Sequence, residues 1–508
     1  MTFPHKRTII HLNGAGWSSL EARRAHNPEV IGSNPIPAIT DYIRGNMVCF
    51  LIYNITGDTR MKQIQLQKKR LTQTQYIASG FFLIILAGTL LLMLPVASRS
   101  GSWTGFFESL FTATSSTCVT GLVVFDTYSH WSLFGQLVIL LLIQIGGLGF
   151  ITISVGLAIA FRKKIGLRER DLLKESVNAL EIGGIVKLAR KIFLGTLLFE
   201  GIGAILLSVR FIPEFGLGKG IYYGIFHSVS AFCNAGFDLM GCREPYSSLT
   251  AYAADPLVNL TVMALITIGG LGFVVWADLS AKKFHWKSYA LHTKIVVSVT
   301  LFLIIAGAVI LYFFEQGSTL EGMGTGGQVL ASFFGSVTAR TAGFNTVDTG
   351  ALREESKFLT TILMFIGGSP GSTAGGIKTT TAAVMTFYIF SNIRDNGCNI
   401  LHRRISDEII KKASMVFCLN LIMGIVSTLV ILATNRLQLS DILFEVFSAI
   451  STVGMTTGIT RDLNFAGRLV IIILMFCGRI GSMTFALSLI HRSDTKKIML
   501  PVEKVTIG

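Results

Sequence analysis

Charge is what this sequence has least of: 14% of its 508 residues are Asp, Glu, Lys or Arg, while 51% are apolar and the mean hydropathy is +0.60. Soluble domains carry about 25% charged residues, so most soluble enzymes are excluded. Cysteine is sparse as well. Seven cysteines with no C-x-x-C pair supply neither a disulfide framework nor a zinc site, and they read as packing residues. The nine histidines fall in the N-terminal segment, loops or flanks, apart from a lone His227, so the constellation a membrane-embedded enzyme needs is missing. A net charge of +15 points toward nucleic acid, but apolar runs of about 20 residues split the basic residues into clusters. The chain therefore reads as an all-α integral membrane protein with no nucleic-acid role. Glycine is what it has in quantity. Fifty-two glycines in such a chain mark close helix approach, or non-helical backbone lining a cavity.

Residues 1–60 stand apart, mixed in character and with one apolar stretch, 47–55, too short to cross a bilayer. No long apolar core followed by a small-residue cleavage site is present, so the segment is not a signal peptide. It reads as an atypical segment, either dispensable or an artefact of start-site choice and not native, with Met61 as the functional start.

From there, apolar segments near 76–95, 132–161, 192–209, 257–277, 295–314, 358–390, 413–433 and 468–490 predict eight crossings. Each odd span is followed by a semi-polar stretch too polar to cross, ending near Gly121, Gly236, Gly343 or Gly454, at separations of 115, 107 and 111 residues. Ten residues before each glycine stands a phenylalanine (Phe111, Phe226, Phe333, Phe444), and a large apolar residue follows it. A second glycine mark recurs in the even spans: IGGLGF at 145–150 and again at 268–273, IGGSPG at 366–371 and CGRIG at 477–481. These registers define four repeats, 61–175, 176–285, 286–400 and 401–508.

The presumed cytoplasmic segments hold 26 Lys and Arg against 9 in the outside loops, which puts both termini in the cytoplasm and lets all four semi-polar stretches enter from outside. With two crossings per repeat, every copy shares one orientation, as in a ring around a central pore. Inverted repeats, common in secondary transporters, need an odd number. If each stretch begins as a short helix running inward, its C-terminal dipole end favours a cation on the axis. The residues that follow can then turn carbonyls inward to replace an ion's hydration shell. The candidate selectivity filter is Cys118, Val119, Thr120 and Gly121; Cys233, Asn234, Ala235 and Gly236; Thr341, Ala342 and Gly343, preceded by Arg340; and Ser451, Thr452, Val453 and Gly454. No acidic ring occupies these positions, so selectivity rests on carbonyls. The bland alternative is four glycine turns with no ion role.

The filter stretches TCVTG, FCNAG, RTAGF and STVGM, the IGGLGF marks, the segment IGGSPGSTAGGIKTTT and the late GRIG together resemble the superfamily of KtrB, TrkH and HKT potassium-translocating subunits, most closely the KtrB group of bacterial Ktr systems. The likeness runs from about Met61 to the end. It implies four units of helix, pore helix and helix around one pathway in the plasma membrane, assembled as a homodimer. It also implies potassium as substrate, with sodium as a candidate activator. In that family a serine at the first filter position often accompanies sodium transport, and Gly121 here favours potassium. The resemblance further implies a cytoplasmic ring of KtrA-type regulatory subunits binding ATP or ADP, since no nucleotide-binding domain lies within this chain. Its last residues, PVEKVTIG, resemble a tail that the group places at the dimer contact. No cofactor is expected on this chain itself.

Residues 367–381, GGSPGSTAGGIKTTT, are too rich in Gly, Pro, Ser and Thr to remain one helix. Such backbone at membrane depth must line a cavity, and it reads as a movable loop beneath the filter, against the alternative of a kinked packing helix. Gly371, Ser372, Thr373, Ala374, Gly375 and Gly376 are its candidate gate residues, and the resemblance adds Lys378 at its end. Arg479 is the other outlier, a guanidinium inside an apolar run. It either bonds loop carbonyls and holds the loop closed, or merely ties helices together. Arg340 is expected to point away from the ion path as a brace. Glu200 stays open between a packing acid and a pathway residue. Asp126, Asp238 and Asp348 follow their glycines closely and are positioned to concentrate cations at the mouth. The basic cytoplasmic loops fit anionic lipid. A sodium-coupled or TrkH-like cation symporter remains the alternative function.

Overall fold

The computed structural model describes residues 72–161, 165–176, 183–283, 285–394, 398–401 and 403–482. The segment 1–60 and the C-terminal tail lie outside these residues. Sixteen helices of ten residues or more run through the described chain in four similar successions. The first comprises α1 (Gln73–Met93), α2 (Phe106–Thr117), α3 (Leu133–Leu148), α4 (Phe150–Ala160) and α5 (Leu167–Ser176). The second comprises α6 (Ile185–Phe215), α7 (Leu217–Phe232), α8 (Pro256–Gly270) and α9 (Phe273–Lys282). In the third, α10 (Leu291–Glu315) and α11 (Thr325–Thr338) precede α12 (Glu354–Phe365) and α13 (Thr379–Ile393). A two-stranded antiparallel hairpin, β1 (Asn399–Ile400) with β2 (Arg403–Arg404), leads to α14 (Asp407–Thr434), α15 (Leu439–Ile450) and α16 (Phe465–Ile480).

Local chemistry sets the ends. The α1 helix opens on a capping box in which the Thr72 hydroxyl accepts from the Gln75 N–H and the Gln75 side chain accepts from the Thr72 N–H. Asp255 caps α8, with Pro256 at its first position, where a missing N–H costs nothing. Among the described residues four helices, α1, α6, α10 and α14, are each long and apolar enough to cross a bilayer alone. Two further pairs reach that length only together: α3 with α4 bends by 93°, and α8 with α9 by 97°.

Those bends correct the continuous spans expected at 132–161 and 257–277. Each falls at the last glycine of IGGLGF, where Gly149 and Gly272 take φ of +80° and +96°, conformations a side chain resists. The span expected at 358–390 is likewise divided, into α12, a loop and α13. The loop ends at Lys378 rather than at Thr381. Helix α13 starts three residues early because its first N–H, that of Thr379, donates to the Gly368 carbonyl (3.0 Å) and its hydroxyl meets Ser369 (3.1 Å).

The tertiary order closes on itself. Helix α3 packs on α7, α8 on α11, α12 on α15, and α16 returns to α2. In each case a succession's outgoing helix braces the short helix of the next, and the last braces the first. The short helices are buried: Phe111, Phe226 and Phe444 are wholly enclosed. In α11 the enclosed ring is Phe334, one residue later than the expected Phe333, which is half-buried.

Candidate functional site

All four short helices end in the same way. The residue two before each glycine has positive φ (Val119 +58°, Asn234 +59°, Thr341 +99°, Thr452 +50°), and so does the glycine (+93°, +68°, +84°, +91°). Backbone that alternates in hand sends its N–H groups to one side and leaves the carbonyls on the other. Here the N–H groups turn back onto the short helix. Thr120 donates to Ser115 O, Ala235 to Ser230 O and Val453 to Ser448 O, each at 2.8 Å, and Ala342 donates to Thr338 O at 2.9 Å. The glycine N–H groups of Gly121 and Gly454 reach the hydroxyls of Ser115 (3.1 Å) and Ser448 (3.0 Å). Among the described residues, no carbonyl from Cys118 to Gly121, or in the three matching segments, accepts a hydrogen bond. Buried carbonyls without partners are costly unless something else satisfies them.

The glycines also close a ring. A methyl group added at Gly121 would lie 2.5 Å from Ala235 O, at Gly236 2.6 Å from Ala342 O, and at Gly343 2.5 Å from Val453 O. At Gly454 it would run into Thr120 O, completing the circuit. Each glycine is thus required twice, for its φ and for the approach of the next segment.

The third segment is one residue tighter than the others. Its returning hydrogen bond spans four residues where the others span five, which explains the shift from Phe333 to Phe334. The arrangement also brings out residues that the glycine spacing does not reveal, namely the hydroxyls Ser115, Ser230, Thr338 and Ser448. Ser230 donates to Phe237 O and Thr338 to Phe344 O, both at 2.7 Å, tying the chain after the glycine back to the helix. A hydroxyl six residues before three of the glycines, and five before Gly343, was the available signal.

Arg340 does turn away, its guanidinium reaching Thr300 O (3.4 Å) and Thr300 Oγ1 (3.5 Å) on α10. Glu200 sits behind the second segment, accepting from Gln144 Nε2 (3.2 Å) and from the Cys233 thiol (3.8 Å), while its carbonyl accepts from Ser228 (2.6 Å). That is a packing position. His227 is buried, bonded to Tyr223 O (2.8 Å) and to the Leu239 N–H (3.3 Å). The second and third segments are bridged where the Asn234 amide and the Thr341 hydroxyl lie 3.0 Å apart.

On the glycine side lies a cavity of 760 Å³ lined by Gly121, Gly236, Gly343 and Gly454 and by Asp126, Asp238 and Asp348. Those carboxylates are also structural: Asp126 accepts from Ser129 N (2.7 Å), Asp238 from Met240 N (2.9 Å) and Asp348 from Gly350 N (2.9 Å). A separate cavity of 310 Å³ is lined by Gly371, Ser372, Ala374, Gly376, Lys378 and Arg479. The loop lines this second cavity. A methyl group on Gly376 would meet the Ser451 side chain at 3.0 Å, and one on Gly375 would run into Thr452 Oγ1, so the loop abuts the fourth segment. Its backbone is pinned to the break in the second succession: Ser369 N donates to Gly270 O (3.0 Å), Thr373 N to Gly269 O (3.3 Å), and Phe273 N to Gly371 O (2.8 Å). Lys378 Nζ folds back onto Ala374 O (2.6 Å) and Gly375 O (3.2 Å). Arg479 bonds Thr373 O in the loop and, at the same time, Gly146 O and Gly147 O (2.8 Å) at the end of α3. The two readings of this arginine therefore merge, since it ties a helix to the loop.

Comparison with known proteins bears on this geometry. Residues 41–498 match the family model TrkH, described as a cation transport protein. The match begins within the segment 1–60. The chain is similar to the potassium/sodium uptake protein NtpJ of Enterococcus hirae, at 42% identity over 87% of this chain and 98% of that protein. It is also similar to the Ktr system potassium uptake protein B of Bacillus subtilis, at 40% identity over 86% of this chain and 97% of that one. The crystal structure of the potassium transporter TrkH from Vibrio parahaemolyticus shares the fold, with a TM-score of 0.63 at 17% identity, covering 81% of this chain and 85% of that one.

Proposed function

The chain belongs to the TrkH family of cation transport proteins, a family of membrane transporters rather than enzymes, and from that premise we propose that it conducts potassium through the ring formed by its four glycine-ended segments. The observation that carries this reading is the closed circuit of partnerless carbonyls, backed by four short-helix C-termini. Each helix end contributes about half a negative charge, which favours a cation without any carboxylate on the path. A potassium ion entering from the 760 Å³ vestibule exchanges its water for Thr120, Ala235, Ala342 and Val453 carbonyls and for those of their neighbours. Backbone held by N–H bonds to the short helix keeps the carbonyls from collapsing onto a smaller ion.

Below the ring, residues 367–378 act as the gate. The loop abuts the fourth segment at Ser451 and Thr452 and lines the inner cavity, which supports this role. Lys378 spends its charge on loop carbonyls, and the Arg479 guanidinium fixes Thr373 while opposing cation passage. Opening requires Thr373 to leave Arg479 and the loop to swing toward the inner cavity. The remaining expectations belong to the same reading: eight crossings of the plasma membrane, both termini cytoplasmic, a homodimer, and a nucleotide-binding regulatory ring of KtrA type. The relative named as a Ktr system subunit supports a partner. A second reading, sodium-linked transport, draws on the Enterococcus relative named for potassium and sodium together.

The test is growth of a potassium-uptake-deficient bacterium at limiting potassium, expressing the chain with and without a KtrA-type partner. Rescue that needs potassium but not added sodium supports the first reading. Rescue only with sodium supports the second, and an expressed chain that moves neither ion in vesicles ends both.

A further inference from the structure

The geometry points to a bound anionic phospholipid in a groove between α6 and α9, separate from the ion path. The groove encloses 760 Å³ and is lined almost wholly by apolar side chains, among them Leu188, Leu194 and Leu198 of α6 and, across from them, Leu271, Phe273 and Trp276. Among the described residues, two charged side chains line it, Lys191 and Lys283, and no acid does. Among the described residues neither lysine makes an ion pair, although the neighbouring Lys282 is held by Asp278 at 2.8 Å. A long apolar slot with two unneutralised ammonium groups and an indole is complementary to acyl chains under a phosphate headgroup.

The surroundings fit that occupant. Lys191 stands in the second turn of α6, and α9 turns away from α8 by 97°, as a helix does when it lies along a bilayer surface with a basic end. The Trp276 indole N–H is spent on Ile268 O (2.9 Å), which leaves the ring as a fixed apolar wall. Phe273 lines the groove, and its own N–H holds Gly371 O of the loop, so occupancy bears on the loop's anchorage. The assignment rests on the membrane placement proposed above but not on the ion carried.

The test uses the full chain in nanodiscs and reads the Trp276 fluorescence, isolated as the difference from Trp276→Phe. Brominated phosphatidylglycerol and brominated phosphatidylcholine are compared as quenchers. Half-maximal quenching is expected at roughly tenfold less of the anionic lipid. The preference should shrink severalfold in a Lys191→Gln/Lys283→Gln variant. If that variant does not fold, unlabelled phosphatidylglycerol should relieve quenching in the parent chain while phosphatidylcholine does not. Equal potency of the two quenchers, or no relief, overturns the proposal. Quenching by neither would mean that lipid does not enter the groove, as when a second copy of the chain covers it, and would overturn it too. Potassium flux in vesicles is a separate readout, so a failed transport reading would leave the quenching result standing.

Discussion

The four glycine-ended segments are near copies of one another, whereas the four stretches that pack beneath them are not. Above, every segment has the same alternation of φ, a backbone N–H that returns to its short helix, over one residue fewer in the third, and the same contact with its neighbour. Below, Gly146, Gly269 and Gly478 each press against the last carbonyl of a short helix (Thr117, Phe232 and Ile450), but the third stretch is a loop and only the fourth carries an arginine. A ring that strips water from an ion needs equivalent ligands on all sides. A gate needs one side that moves against three that do not. On the proposed reading, symmetry is kept where the ion binds and given up where passage is controlled.

The largest effect should come from breaking the symmetric half. Gly454→Ala places a methyl group into Thr120 O at a φ of +91°. Strain of about 1–3 kcal/mol together with a displaced carbonyl should reduce rubidium uptake at least 100-fold. Uptake within threefold of the parent would mean that the ring is not the conducting element. Next comes the asymmetric half. Arg479→Gln removes a charge bonded to three carbonyls, and a coupling of about 1–3 kcal/mol corresponds to a potassium leak, measured without the regulatory partner, that rises roughly 5- to 150-fold. An unchanged leak would reduce Arg479 to a helix tie.

Smaller still is the effect at the hinge between the halves. Gly272→Ala sets a methyl group 2.6 Å from Pro370 O at a φ of +96°, and thermal unfolding should show a loss of about 1–3 kcal/mol, with basal leak altered because the loop's anchor shifts. Smallest is Arg340→Met. Its guanidinium faces α10 rather than the ring, so potassium over sodium selectivity should stay within about twofold while stability falls by about 1–3 kcal/mol. A changed selectivity would put Arg340 on the ion path.

Much of the symmetric half was legible in the sequence, because glycine at a fixed interval is forced there by backbone geometry and neighbour contact together. The register of Gly121, Gly236, Gly343 and Gly454 survives wherever side chains diverge. The loop around Gly371 to Gly376 and the cost of burying Arg479 could also be read, since both violate helical or apolar rules. What could not be read is how a continuous apolar run is divided. Nothing in the composition of 132–161 or 257–277 separates a straight span from one broken at Gly149 or Gly272, since a helix tolerates glycine and only tertiary contact decides the φ. The one-residue contraction before Gly343 escaped for a related reason. Alignment on the glycine fixes the end of the segment, while α11 sets its own phase through Phe334 and Thr338. The hydroxyls that lock each segment were hidden among many other Ser and Thr, and became distinct only through the carbonyls and N–H groups they meet.

The most direct measurement is the ratio of rubidium to sodium flux in vesicles containing the chain, beside its Gly121→Ser variant at equal protein incorporation. If a ring of backbone carbonyls selects the ion, the parent favours rubidium strongly and the variant, with a side chain forced against Ala235 O, loses at least tenfold of that preference. An identical ratio in both, with flux intact, would contradict the account.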